Sequence, residues 1–162
     1  MASPSLQRGR ISNIGNCYVI TTVTARRARI FECPENAREL TRWLHCSDHE
    51  GRTESLAWAV MPDHLHWMFF LRETSLSTVV RTMKSHSARA INQCNGSQGP
   101  IWQPGYYDQQ QRDERQFRTE ALYIMANPVR AGLATRLEEY PFAWCRWSLS
   151  DQPAALRSTP TP

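Results

Sequence analysis

The stretch SLAWAVMPDHLHWMFFL, residues 55–71, is the most apolar part of the chain and decides the fold. A single long strand is disfavoured because Pro62 and Asp63, near its centre, are typical of a turn. The stretch therefore predicts a hairpin, with strands at 55–61 and 64–71 joined by that turn.

The segments on either side of this hairpin have the patterns of one strand and two helices. Upstream, the β-branched run CYVITTVT, which begins at Cys17, predicts a strand. The apolar residues of 35–47 recur on one face of a helix. Downstream, Ser75 is a suitable N-cap for a helix over 76–94, whose apolar residues follow an i, i+3, i+4, i+7 pattern.

The last third of the chain again alternates predicted strands with a predicted helix. Residues 101–111 contain a Pro-Gly pair and predict a bent or edge strand. Asp113 predicts the start of a helix that Pro128 is expected to end near Asn127, and 141–149 have the pattern of a final strand. This order predicts an α+β fold, an antiparallel sheet covered by helices in a ferredoxin-like split β-α-β sandwich.

Composition limits the class of protein. The chain has 162 residues, of which 41% are hydrophobic and 21% charged, so one folded domain is expected and wholesale disorder is not. We expect a basic N-terminal arm at 1–13, a folded domain at 14–149 and a flexible tail at 150–162. No apolar window predicts a transmembrane helix or a secretory signal. The five scattered cysteines include no CxxC, which favours a reduced cytoplasmic protein.

The positive charge is unevenly distributed. The net charge is +4 and the cations are 18 arginines and one lysine, Lys84. Codon bias in a GC-rich genome and phosphate recognition both explain that ratio, and composition does not separate them. Residues 1–30 contain five arginines and no acid, and 76–136 contain eight cations against four acids. Two basic blocks are expected if two segments converge on a polyanion.

Two histidines, His64 and His66, are the sharpest local feature. Side chains alternate along a strand, so both imidazoles should lie on one face while Leu65 points into the core. Such a pair is able to share a divalent cation. The plainer interpretation is a chance pair on a half-polar strand.

A second feature is Tyr123 and Asn127, which lie one turn apart on the last predicted helix. The phenol is a candidate nucleophile and the amide oxygen a candidate ligand for Mg²⁺ or Mn²⁺. The plainer interpretation is a half-buried tyrosine and a helix-end asparagine before proline. Together with two histidines, however, these groups suit attack on a phosphodiester. A metal would polarise the phosphate, and a phosphotyrosine would store the bond energy for rejoining without ATP.

Several segments resemble one family. VMPDHLHWMFFL resembles the His-hydrophobe-His block of the HUH single-strand endonucleases, and IWQPGYYDQQQRDERQFRTEALYIMANPVRAGLA resembles the downstream block of the REP-associated tyrosine transposases. SLSTVVRTMKSHSARAIN and EYPFAW are also similar to that family, so the resemblance runs over about residues 10–149. It implies a ferredoxin-like domain, usually of five strands, in a bacterial cytoplasmic protein.

The resemblance also implies roles for residues. His64, His66 and Asn127 would bind Mg²⁺ or Mn²⁺, although many relatives have Gln, which is one methylene longer, at the position of Asn127. Tyr123 would be the single nucleophile, forming a 5′-phosphotyrosine and freeing a 3′-OH. The substrate would be single-stranded DNA with an imperfect palindrome, the REP hairpin, and a short guide sequence. The branch is usually monomeric, with a dimer left open.

Further residues are expected to contact DNA. Tyr106 and its neighbour Tyr107 are suited to stack on bases, and Lys84 and Arg130 to contact phosphate. The N-terminal arginines are suited to contact the backbone: Arg8, Arg10, Arg26, Arg27 and Arg29. Core packing for Tyr106 and a solvated helix face for Lys84 are the plainer alternatives. Two other functions stay open: a domesticated, non-catalytic hairpin-binding protein and a replication or mobilisation nuclease. The short chain and the NPVRAGL block weigh against the nuclease.

Overall fold

A computed structural model describes residues 11–148 of the chain. Arg8, Arg10, most of the predicted arm and all of the predicted tail therefore lie outside the described residues. The described part contains five strands and three α-helices. The strands are β1 (Cys17–Val23), β2 (Thr53–Met61), β3 (His64–Leu71), β4 (Tyr107–Gln111) and β5 (Ala143–Cys145). The helices are α1 (Pro34–His49), α2 (Leu76–Asn95) and α3 (Glu114–Arg130).

The strands form one sheet in the order β4-β1-β3-β2-β5, and every neighbouring pair is antiparallel. The first four strands, with α1 and α2, follow the β-α-β-β-α-β order of a ferredoxin-like fold. The predicted α+β class, the hairpin and the edge position of β4 are confirmed. Beyond that unit, α3 covers a sheet face and β5 extends the edge at β2.

Both faces of the sheet are buried, which explains why the hairpin sequence is so apolar. Leu65, Trp67 and Phe69 point to one face and pack with α1 and α2. Met68, which lies between Trp67 and Phe69 and points to the opposite face, packs with Phe117 and Ile124 of α3. His64 and His66 alternate with Leu65, and they therefore lie on the α3 face.

One predicted helix boundary was wrong. We expected Pro128 to end the last helix near Asn127, but α3 continues through Pro128 to Arg130. Pro128 lacks an N–H for the helix ladder, but the turn closes beyond it through hydrogen bonds from Ala131 N to Asn127 O and from Leu133 N to Pro128 O. As a result Arg130 stands on the same helix as Asn127, one turn further on.

None of the helices within residues 11–148 combines the length and apolar character needed to cross a membrane. All five cysteines are free.

Candidate active site

The two histidines of β3 face each other on the α3 side of the sheet. Their ring centroids are 4.8 Å apart and the rings are nearly perpendicular. His66 lies directly opposite Thr21 of β1 in the sheet register, and both histidines are partly buried. The predicted shared face is therefore present.

Each histidine is oriented by a partner at Nδ1. The Nδ1 atom of His66 is 2.9 Å from the Thr21 hydroxyl, and that of His64 is 2.6 Å from Oδ1 of Asp63. The Nε2 atom of each ring is thereby left for another ligand, an arrangement typical of metal-binding histidines. Arg27 in turn lies 3.3 Å from Asp63. The sequence pattern predicts only a turn role for Asp63. An acidic residue directly before the first histidine was the available signal.

His66 is held in the neutral form that metal ligation requires. Burial lowers its pKa from 6.5 to about 4, and the positive charges of His64 and Arg130 add to that effect. Arg130 of α3 therefore lies within electrostatic range of His66 of β3.

Helix α3 packs on this face of the sheet and carries the remaining candidate groups. Tyr123 is 57% exposed, and the guanidinium carbon of Arg130 lies 3.9 Å from its ring centroid. Nη2 of Arg130 donates at 2.9 Å to both the Tyr123 carbonyl and Oδ1 of Asn127. The Nδ2 atom of Asn127 is buried and has no hydrogen-bond partner.

The donor set fits a divalent cation. Among the described residues, no group of three or more His, Cys, Asp or Glu side chains is placed to hold a metal ion. Beside His64 and His66, the further candidate ligand that α3 supplies is the amide of Asn127, whose buried Nδ2 atom has no hydrogen-bond partner. Two imidazoles and an amide oxygen suit Mn²⁺ or Mg²⁺.

Comparison with known proteins identifies the family. Residues 14–127 match the family described as Transposase IS200 like, which is well over half of the chain. The chain belongs to this family. It is 30% identical over 89 residues to the REP-associated tyrosine transposase of Escherichia coli (strain K12), a match that covers 54% of this chain and 51% of that protein. The chain spans about half the length of the curated relatives that it matches.

A solved structure described as a REP-associated tyrosine transposase bound to a REP hairpin shares the fold. Its TM-score is 0.70 at 24% sequence identity, covering 85% of this chain and 81% of that one. The predicted resemblance to the REP-associated transposases is confirmed at the level of family and fold.

In this IS200-like transposase, the arginines after β1 lie in an exposed, strained turn. Arg26 and Arg27 have φ values of 55° and 51°, a left-handed conformation that costs free energy in residues other than glycine. Arg29 pairs with Glu32 at 2.5 Å. The turn continues β1 beyond Val23, which lies opposite His64, so these arginines flank the histidine end of the sheet.

Lys84 has a different setting. It lies on α2, in the helix layer opposite the histidine face, and its Nζ donates to the carbonyls of Gln103 and Gly105 at 2.6 and 2.7 Å. Burial lowers its pKa to about 8. Its observed contacts fasten the loop before β4 to α2, and its contact with phosphate stays a prediction.

The two adjacent tyrosines point to opposite sides. Tyr106 is partly buried against the core shared with α1 and α2. Tyr107 is 50% exposed and lies opposite Thr21, which itself lies opposite His66. Cross-strand partners share a face, so of these two candidates for base stacking Tyr107 is the one on the histidine side.

The pKa of His66 predicts an acid-sensitive fold. In the unfolded chain His66 takes up a proton near its ordinary pKa of 6.5, whereas in the folded protein it stays neutral down to about pH 4. Its contribution to stability is therefore complete above pH 6.5 and is lost as the pH falls from 6.5 to about 4. A shift of this size corresponds to on the order of 3 kcal/mol. Urea unfolding in EDTA should show the free energy of unfolding falling over this range, and less so in His66→Gln. Equal pH dependence in both proteins would contradict the assignment.

Proposed function

We propose that this IS200-like transposase is a metal-dependent endonuclease and strand transferase for single-stranded DNA that carries REP hairpins. The observation that supports it most is the pair of histidines, oriented at Nδ1 and open at Nε2, facing the helix that carries an exposed tyrosine. The named similarity to REP-associated tyrosine transposases supports the choice of DNA.

His64, His66 and Asn127 would hold the cation, Mg²⁺ or Mn²⁺. When bound, it supplies a Lewis acid for the scissile phosphate. The neutral state of His66 near pH 7 favours this role, because a protonated imidazole has no lone pair to donate to a metal ion.

Tyr123 would be the nucleophile. Its phenol oxygen attacks the phosphorus, and a bond from Oη to phosphorus forms as the bond to the 3′ oxygen breaks. The phenol loses its proton and the departing 3′ oxygen gains one, which leaves a 5′-phosphotyrosine and a free 3′-OH. A 3′-OH of another strand reverses the step, so rejoining needs no ATP.

DNA would approach along the face of the sheet that carries the histidines. Arg26, Arg27 and Arg29 are exposed at its end and suit contacts with the backbone, and Tyr107 is exposed beside Thr21 and suits stacking on a base. For the assembly we propose a monomer, with a dimer left open.

A cleavage assay separates this function from that of a non-catalytic hairpin-binding protein. A labelled single-stranded oligonucleotide with a REP hairpin and its flanking guide sequence is incubated with the protein and Mn²⁺ or Mg²⁺. We expect a shorter product and a covalent protein–DNA species, both absent in EDTA, and no product from the fully duplex form. Tight hairpin binding without cleavage in either metal would identify a binding protein instead.

A further inference from the structure

Arg130 makes three contacts around the candidate active site with a single guanidinium. It stacks on the ring of Tyr123 at 3.9 Å and donates from Nη2, at 2.9 Å in each case, to the Tyr123 carbonyl and to Oδ1 of Asn127. These contacts exist because α3 continues through Pro128, which places Arg130 three residues after Asn127 on the same helix.

The contact with Asn127 uses the atom that a metal would need. An amide side chain has one oxygen, and only that oxygen is a ligand for a hard cation. In the structure the oxygen accepts from Arg130, while the buried Nδ2 has no partner. Turning the oxygen to the buried side breaks the bond to Arg130, since the amide nitrogen is a donor and the guanidinium has no acceptor.

Electrostatic repulsion also opposes simultaneous binding of Arg130 and a cation to the Asn127 oxygen. A guanidinium and a divalent cation that share one amide oxygen lie only a few ångströms apart and repel each other. Arg130 is exposed to solvent and is free to reach other partners through a long side chain with five donors.

We propose that Arg130 is a positioning residue with two alternative sets of partners: Asn127 and Tyr123 in the DNA-free protein, and a backbone phosphate of the DNA once the cation is bound. The exchange releases the Asn127 oxygen for the metal. It also ends the stacking of Arg130 on the Tyr123 ring, so that the phenol is free to attack the phosphate. Binding of metal and of DNA is then mutually favourable, as linkage requires. This inference rests on the proposed function.

Direct measurement of Mn²⁺ binding tests the exchange without catalysis. Mn²⁺ is titrated into full-length wild type, Arg130→Gln and Arg118→Gln by electron paramagnetic resonance, with and without a non-cleavable hairpin oligonucleotide. Arg118 is exposed on the same helix and serves as the matched charge control. Without DNA, we expect Arg130→Gln to bind Mn²⁺ about tenfold more tightly than wild type, because a repelling charge and a competing donor are removed. DNA should tighten Mn²⁺ binding in wild type and in Arg118→Gln, and much less in Arg130→Gln.

A second readout concerns DNA. The logarithm of hairpin affinity decreases linearly with the logarithm of salt concentration. With Mn²⁺ present, the magnitude of this slope should be smaller by about one in Arg130→Gln than in wild type. Circular dichroism checks the fold, and Arg130→Lys, which retains the charge, provides a second variant with intermediate Mn²⁺ affinity. Unchanged or weaker Mn²⁺ binding by DNA-free Arg130→Gln overturns the exchange while leaving the proposed function standing. Failure of wild type to bind Mn²⁺ with or without DNA overturns the metal-dependent function itself, and the exchange with it.

Discussion

Replacing Tyr123 by phenylalanine is expected to abolish the covalent protein–DNA species while hairpin affinity stays within about twofold of wild type. The change removes only the phenol oxygen, the atom proposed to form the bond to phosphorus. The ring is retained beneath Arg130, since phenylalanine also accepts a cation on its face. Tyr123 is 57% exposed, so little change in the free energy of unfolding is expected. Cleavage should drop by at least about 1,000-fold.

Tyr107→Phe is the matched control, because Tyr107 is the other exposed tyrosine on the histidine side of the sheet. It should form the covalent species at nearly the wild-type rate. If the species persists in Tyr123→Phe and disappears in Tyr107→Phe, the nucleophile belongs to β4 and not to α3.

Replacing His66 by alanine is expected to have the second-largest effect. It removes one of the two proposed imidazole ligands, and at least about a hundredfold loss of metal-dependent cleavage should follow, with weaker Mn²⁺ binding. Hairpin binding in EDTA should be retained, which separates metal binding from DNA binding.

The control for this variant is His49→Ala. His49 is an exposed residue in the last turn of α1 and has no role in the proposed chemistry, so cleavage should be unchanged. Cleavage by His66→Ala at the wild-type rate, or wild-type cleavage that persists in EDTA, would contradict the metal-dependent mechanism.

Local patterns were enough to predict most of the fold. The turn at Pro62–Asp63 and the alternation around His64 predicted the hairpin and its faces, because the strand period is strict and one misplaced residue would expose a core side chain. Ser75 and Asp113 predicted two helix starts, and both side chains accept backbone N–H groups there.

The boundary at Pro128 was predicted wrongly because the rule considers only the residue before proline and the lost hydrogen bond. The closing hydrogen bonds from Ala131 and Leu133 depend on the chain beyond the helix. This error concealed the relation between Arg130 and Asn127.

Contacts between distant segments were not predictable from spacing. The hydrogen bond between Thr21 and His66 joins two strands that are 45 residues apart in sequence. The sides taken by Tyr106 and Tyr107 depend on the register between β1 and β4, which the composition of an edge strand does not specify. The sequence predicted which residues belong to the candidate site. The residues that orient them, such as Thr21 beside His66, became apparent only in the folded structure.

The most direct test of the proposed mechanism is to locate the phosphate in the covalent species. Wild-type protein is incubated with the REP hairpin oligonucleotide and Mn²⁺, digested with a protease and a nuclease, and examined by tandem mass spectrometry. The mechanism predicts a nucleotide joined through its 5′ phosphate to Tyr123, together with a free 3′-OH on the released strand. A phosphate on any other residue, or a covalent bond to the 3′ side of the break, would contradict it.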